Sequence, residues 1–265
     1  MHNIFLAELF DWDNRESKMV GRVNRLLRKC HVKFQIRRAM NFYTQMTTVE
    51  QRINMFHLLS QVLHSDVKGE VVELGCFEGK TAVLFQKVIE YYAPDRALHL
   101  YDSFQMKAHI KGSVKEALLG NFRTAGTRLP TIHEGRFEHT VPSQLPNQIC
   151  FAHIDCGQGG DPTQHKRLML FCLEHVYARM TPSAICLLMD YCDQSLVGAW
   201  DCNPGVRLAC AEFFKDKSES ISVLYGGEYC HGYFRKKPNI IQAANEGCMA
   251  DPAKNLSVEI PVNCA

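Results

Sequence analysis

Two hydrophobic periods alternate along the chain from residue 70 to residue 237. Short apolar runs, EVVEL at 70–74, ALHLYD at 97–102, ICFAHIDC at 149–156 and AICLLMDY at 184–191, have the length of buried strands. PTIHEGRF at 130–137 is a weaker strand of the same kind. Between them lie stretches with helical spacing. These are KTAVLFQKVIEYY at 80–92, VKEALLGNFRTAG at 114–126, QHKRLMLFCLEHVYARM at 164–180 and GVRLACAEFFKDK at 205–217. In the third, Leu168, Phe171, Cys172, His175 and Val176 share a face; in the fourth, Val206, Ala209, Cys210, Phe213 and Phe214 do. Thr181-Pro182-Ser183 reads as a turn, and SISVLYGGEYCHGYFRK at 220–236, with its Gly-Gly pair, as an antiparallel hairpin. Such alternation predicts an α/β fold, a mostly parallel sheet with helices on both faces, closed by that hairpin.

Upstream, TTVEQRINMFHLLSQVL predicts a helix with Val49, Ile53, Phe56, Leu59 and Leu63 on one face. Thr47 and Glu50 have the spacing of a capping box. Residues 17–38 form a basic segment in which Val20, Val23, Leu26, Leu27 and Cys30 recur at helical spacing. It is either an amphipathic helix with a solvated basic face, a cap over a site, or a homodimer contact. The pattern stops near Lys237. The expected organisation is an N-terminal helical extension over 1–45, a main domain over 46–237 and a tail or flap over 238–265.

Composition sets the class. The chain has 265 residues, 46% hydrophobic, enough for a full core. Its 30 Lys and Arg nearly balance 28 Asp and Glu, so charge alone demands neither nucleic acid nor an anionic membrane. No apolar run is long enough to span a bilayer, and the N-terminus lacks the basic start of a signal peptide. The twelve cysteines, from Cys30 to Cys264, include no CxxC pair and read as reduced thiols in a cytoplasmic protein.

Chemistry concentrates in VVELGCFEGKTA. A strand followed by glycines and a helix forms a ligand turn at the C-terminal edge of an open sheet. A dinucleotide would call for G-x-G-x-x-G, but here Phe77 stands at the middle position and Glu73 precedes the first glycine. An acid there suits a cationic ligand. S-adenosylmethionine (SAM), with its ammonium and sulfonium, fits Glu73, Gly75 and Gly79. Asp102, ending the second strand, is placed to accept both ribose hydroxyls of a nucleoside.

The ordered set YTQMTTVEQRINMF, GEVVELGCFEGKTA, LYDSF, GRFEHTVPSQLP, FAHIDC, LLMDY, GVRLACAEFF and GYFRK resembles the macrocin O-methyltransferases, class I SAM-dependent enzymes of natural-product biosynthesis. The resemblance implies a Rossmann-like seven-stranded sheet, a hydroxylated small-molecule acceptor such as a sugar, and Mg²⁺. It places Glu73, Gly75, Cys76, Gly79 and Thr81 in the cofactor loop, with Asp102 and Ser103 at the ribose. Thr47 and Thr48 fall in the closing segment, Glu134 near the adenine, and Asp155 beside the cofactor. Asp155 and Asp190 would be metal ligands. By position alone, Asp155 at the end of a central strand is the first candidate for the general base, and His109, in the loop after the second strand, is another. The chain departs from the family in two places. Met189-Asp190-Tyr191 stands where Asp-Asp-Tyr is usual, and Gly157 replaces an acid in HIDCG. Thioether sulfur is a poor partner for Mg²⁺. A methyltransferase-like SAM-binding protein that has lost catalysis is therefore the rival reading. A NAD-dependent oxidoreductase and a nucleic-acid methyltransferase fit the motifs less well.

Overall fold

The computed structural model describes residues 18–32, 34, 36, 47–108, 110–157, 160–193, 195, 201–227 and 229–238. Strands β1 (Glu70–Leu74), β2 (Leu98–Asp102), β3 (Thr131–Glu134), β4 (Ile149–Ile154), β5 (Met180–Met189), β6 (Ser222–Leu224) and β7 (His231–Arg235) form one sheet. Their order is β3-β2-β1-β4-β5-β7-β6. The pairs from β3 to β5 are parallel, and β7 runs antiparallel to both β5 and β6. Strand order reverses at β1 and β4, where the chain leaves first to one side of the sheet and then to the other. In an open sheet that is where a crevice for a ligand forms.

The helices are α1 (Lys18–Lys29), α2 (Val49–His64), α3 (Lys80–Tyr92), α4 (Val114–Ala125), α5 (Phe137–Gln144), α6 (Pro162–Arg179) and α7 (Pro204–Phe213). Apolar side chains of α2 to α7 join the core around β1, β4 and β5, which explains why those strands are largely apolar, with Glu73 and His153 as buried exceptions. On one face Phe85 of α3 meets Phe151 and His153 of β4 edge-on. On the other, Phe214 packs against Phe234 of β7.

Several expectations shift. The capping box at α2 is real but one residue later: Thr48 is the N-cap, its Oγ1 accepting from the Gln51 N–H while Gln51 Oε1 accepts from the Thr48 N–H. The buried face of α6 carries His165, Met169, Cys172, Leu173 and Val176, rotated from the one expected, so Leu168, Phe171 and His175 are half-buried. Thr181-Pro182-Ser183 is a bulge inside β5 rather than a turn before it. The β4–β5 register slips there, and Ser183 takes a φ of +69°. β3 stops at Glu134 rather than running to Phe137, and α5, for which no element was expected, follows with Pro142 inside it. Residues beyond 238, where a tail or flap was expected, and most of the 1–45 extension lie outside the described residues.

Candidate active site

A cavity of about 460 Å³ opens at the C-terminal ends of β1, β2 and β4, within the size range of small-molecule sites. The loop after β1 forms its floor. Gly75 (φ +85°) must be glycine for a packing reason: a Cβ there would lie 1.7 Å from the backbone oxygen of Asp155. Its positive φ also makes the sharp turn that a glycine there allows, and the backbone it approaches is the end of β4. Gly79, the left-handed N-cap of α3, lies against Leu118 of α4.

Asp102 holds this loop in shape. Its Oδ2 accepts hydrogen bonds from the N–H groups of Cys76 (3.0 Å) and Phe77 (2.8 Å), and Oδ1 accepts from the Phe104 N–H (2.7 Å). Two of these charge-assisted bonds tie β2 to the turn after β1, and the third shapes the loop after β2 itself. They also offset the positive φ of Phe77 (+44°) and Phe104 (+53°), a conformation unfavourable for an aromatic residue.

Glu73 is buried on β1, and its Oε1 lies 2.9 Å from His153 Nδ1 on the neighbouring β4. Oε2 has no hydrogen-bond partner among the described residues, although Glu73 belongs to the cavity wall. Burial pushes its carboxyl above the usual range, against the lowering effect of the His153 bond. A buried carboxylate oxygen left without a donor at a cavity wall calls for a cationic or hydrogen-bond-donating ligand.

At the end of β4, burial and then the charge of Asp190 push the Asp155 carboxyl well up. Asp190 has a φ of +58°, and its Oδ2 accepts from Asn203 Nδ2 at 2.6 Å. Asn203 and Asp190 together fill the space beside Gly157: a Cβ on Gly157 would lie 2.8 Å from Asn203 Nδ2 and 3.0 Å from Asp190 Oδ2. Cys156, also on the wall, is held down to about 6 by its hydrogen bond with Cys172 and by His165.

Of the residues expected from sequence, Thr47, Glu73, Gly75, Cys76, Gly79, Thr81, Asp102, Ser103 and Asp155 border this one cavity. Thr48 does not; its hydroxyl caps α2 and donates to the Gly226 carbonyl (2.8 Å). Glu134 stands on β3 opposite Asp102 but points into an ion pair with Lys115 (2.7 Å) outside the lining. The wall there is made by the following Gly135, Arg136 and Phe137. His109, expected as a base, lies outside the described residues. Arg52, Met106 and Phe137 also line the cavity. Arg52 was hidden in a helix read only for its apolar face, and Phe137 in a segment read as strand.

The donor set does not fit Mg²⁺. Among the described residues no group of three or more His, Cys, Asp or Glu side chains is arranged to hold a metal ion. Met189, where the resemblance led to an acid being expected, is buried in the sheet, and Asp190 Oδ2 is already engaged by Asn203. Two mutually repelling carboxylates without further hard ligands make a weak site.

No known family profile and no curated protein sequence matches the chain. Solved structures do. The O-methyltransferase NovP is 16% identical over 72% of this chain and 81% of its own, with a TM-score of 0.56. CalS11, a TDP-rhamnose 3'-O-methyltransferase of calicheamicin biosynthesis, is 20% identical over 83% and 96%, with a TM-score of 0.52. The S-adenosylhomocysteine (SAH)-bound methyltransferase PaMTH1 of Podospora anserina is 12% identical over 84% and 89%, with a TM-score of 0.54. The chain thus shares the Rossmann-like fold of these structures: a seven-stranded, mostly parallel sheet closed by antiparallel strands. Among the described residues no helix is long and apolar enough to cross a membrane.

Proposed function

We propose that the chain is a SAM-dependent O-methyltransferase, similar to the macrocin O-methyltransferases, acting on a hydroxyl of a small sugar-like or polyol acceptor. The observation that carries this reading is the pairing, on one cavity wall, of the partnerless Oε2 of Glu73 with the Asp102-clamped loop. When bound, SAM supplies a methyl group activated by a sulfonium. Glu73 faces its ammonium, and Asp102, with two donors on Oδ2 and one on Oδ1, keeps one acceptor site on Oδ1 for a ribose hydroxyl. Phe77 and Phe137 give the adenine an apolar seat. The fold shared with NovP and CalS11 supports the reaction class, and CalS11's sugar substrate supports the acceptor class. The free cysteines of the described core suit a reducing, cytoplasmic setting.

An alcohol needs its proton removed as it attacks. Asp155 is the base in this reading. Desolvation, and then the charge of Asp190, raises its carboxyl well above the usual range and so strengthens it as a proton acceptor. The acceptor oxygen forms its bond to the methyl carbon while its proton passes to Asp155 and the carbon–sulfur bond breaks. The products are the methyl ether and SAH, and Asp155 then returns its proton to water. No step is assigned to a metal.

A second reading is favoured by one observation. The acid usual at position 157 is absent, and Asn203 occupies its space against Asp190. On that reading the chain binds SAM without turning it over. Transfer of radiolabelled methyl from SAM to a panel of sugars and polyols, with and without EDTA, separates the two. The enzyme reading expects EDTA-resistant product that is lost in Asp155→Asn; SAM binding with no product anywhere on the panel supports the second.

A further inference from the structure

The nearly neutral charge of the chain conceals an uneven distribution. Eight of its 30 Lys and Arg residues lie between Lys18 and Arg38, and no Asp or Glu occurs from Ser17 to Val49. The remainder has 22 basic residues against 28 acidic ones. This basic block is built on α1. The Asn24 side chain, itself buried, binds the Ile36 main chain in both directions: Nδ2 donates to the carbonyl and Oδ1 accepts from the N–H, each at 2.8 Å. The segment leaving the helix is therefore folded back and fixed to it.

The outward face of this unit is unlike an ordinary solvated helix. Met19 is 74% exposed and Leu26 61%, seven residues apart and so on one side of α1. Arg22 and Lys29 follow each of them by three residues, and both are exposed, as are Arg25 and Arg28. Phe34 (65% exposed) and Ile36, on the folded-back segment, add two more apolar side chains. Large apolar groups in water, ringed by arginine and lysine with no acid among them, match an interface that is apolar just below an anionic surface. The apolar tips enter the acyl boundary, and the long basic stems reach back to the headgroups. RNA would use the charge but leave Met19 and Leu26 without a role.

We propose that α1 and the segment to Ile36 form a peripheral docking surface for anionic lipid bilayers. The inference does not depend on the methyl-transfer reading. It revises the expectation of no membrane partner, which rested on overall charge and on the lack of a spanning segment. Attraction of this kind is weakened by salt and requires anionic lipid.

The test is co-sedimentation of the full chain with phosphatidylcholine vesicles or with vesicles that also contain phosphatidylglycerol, at low and at physiological salt. Two variants are compared, Arg22→Glu/Arg25→Glu/Lys29→Glu and Met19→Ser/Leu26→Ser, each checked for folding by circular dichroism. The expected result is binding to phosphatidylglycerol vesicles only, reduced by salt. It falls more than tenfold on charge reversal and several-fold in the serine variant. Wild-type protein left in the supernatant with phosphatidylglycerol vesicles at low salt overturns the proposal, whatever the variants do. Equal binding to neutral vesicles overturns it too. So does single-stranded RNA binding without vesicle binding, or a dimer dissolved by charge reversal that never sediments with lipid.

Discussion

Glu73 Oε1 and His153 Nδ1 lie 2.9 Å apart across β1 and β4, both side chains 1% exposed, while the second oxygen of Glu73 has no partner among the described residues. Two demands meet on one carboxylate. The half bonded to histidine is structural, and the other half waits for a ligand. Glu73→Gln keeps a group able to bond His153 but removes the charge. SAH affinity should fall at least tenfold, about 1.4 kcal/mol, while the thermal midpoint without ligand stays the same or rises. Calorimetry and thermal unfolding on the same preparation measure both. A large loss of stability with unchanged affinity would make Glu73 purely structural.

Asp102 clamps three backbone N–H groups, so its removal should affect fold and binding together. Asp102→Ala is expected to cost about 2–4 kcal/mol of stability and to abolish SAH binding. Asp102→Asn, which retains one acceptor oxygen, should fall between. Urea unfolding followed by calorimetry would show this order.

Asp155 gives a prediction with a definite sign in pH. Burial and Asp190 raise its folded-state pKa above the unfolded value. Its contribution is therefore fully present below about pH 4 and is lost as pH rises through the raised value. Asp155→Asn cannot titrate. Its stability relative to wild type should therefore rise as pH increases above about 4. His231, which burial lowers to about 4, acts in the opposite direction, favouring the fold above its unfolded pKa and weakening it as pH falls. Subtracting the variant's unfolding free energy from that of wild type, pH by pH, cancels this second effect. A difference that stays flat from pH 5 to 8 would contradict the assignment.

Two glycines with similar φ separate packing from backbone strain. Gly75→Ala places a Cβ on the Asp155 carbonyl and should cost more than about 3 kcal/mol, enough to prevent soluble expression. Gly126→Ala, at φ +67° with open space around it, should cost only about 1 kcal/mol of strain. Chemical denaturation of the two variants tests the contrast.

The sheet was legible in the sequence because its central strands are apolar on both faces and its helices carry stripes at helical spacing. The cavity floor was legible because an acid, two glycines and a helix start lie within one short stretch, Glu73 to Lys80. What escaped depends on neighbours far along the chain. The capping box uses Thr48 and Gln51 rather than Thr47 and Glu50, two pairs that fit the same local pattern, and Thr48 also donates to the distant Gly226 carbonyl. The bulge at 181–183 reflects a register slip against β4. Asn203 had no motif around it, and only the fold brings it to Asp190 and Gly157. Phe137 entered the cavity wall because β3 ended early and a helix began despite Pro142.

The central claim is that the cavity beside Glu73 and Asp102 receives SAM and its demethylated product. Titration calorimetry of the folded full-length chain with SAH tests it most directly. The account predicts one saturable site per chain, with a dissociation constant tighter than about 100 μM, retained in EDTA and lost in Asp102→Ala. A wild-type sample shown by circular dichroism to be folded, yet giving no saturable heat with SAH, would contradict it.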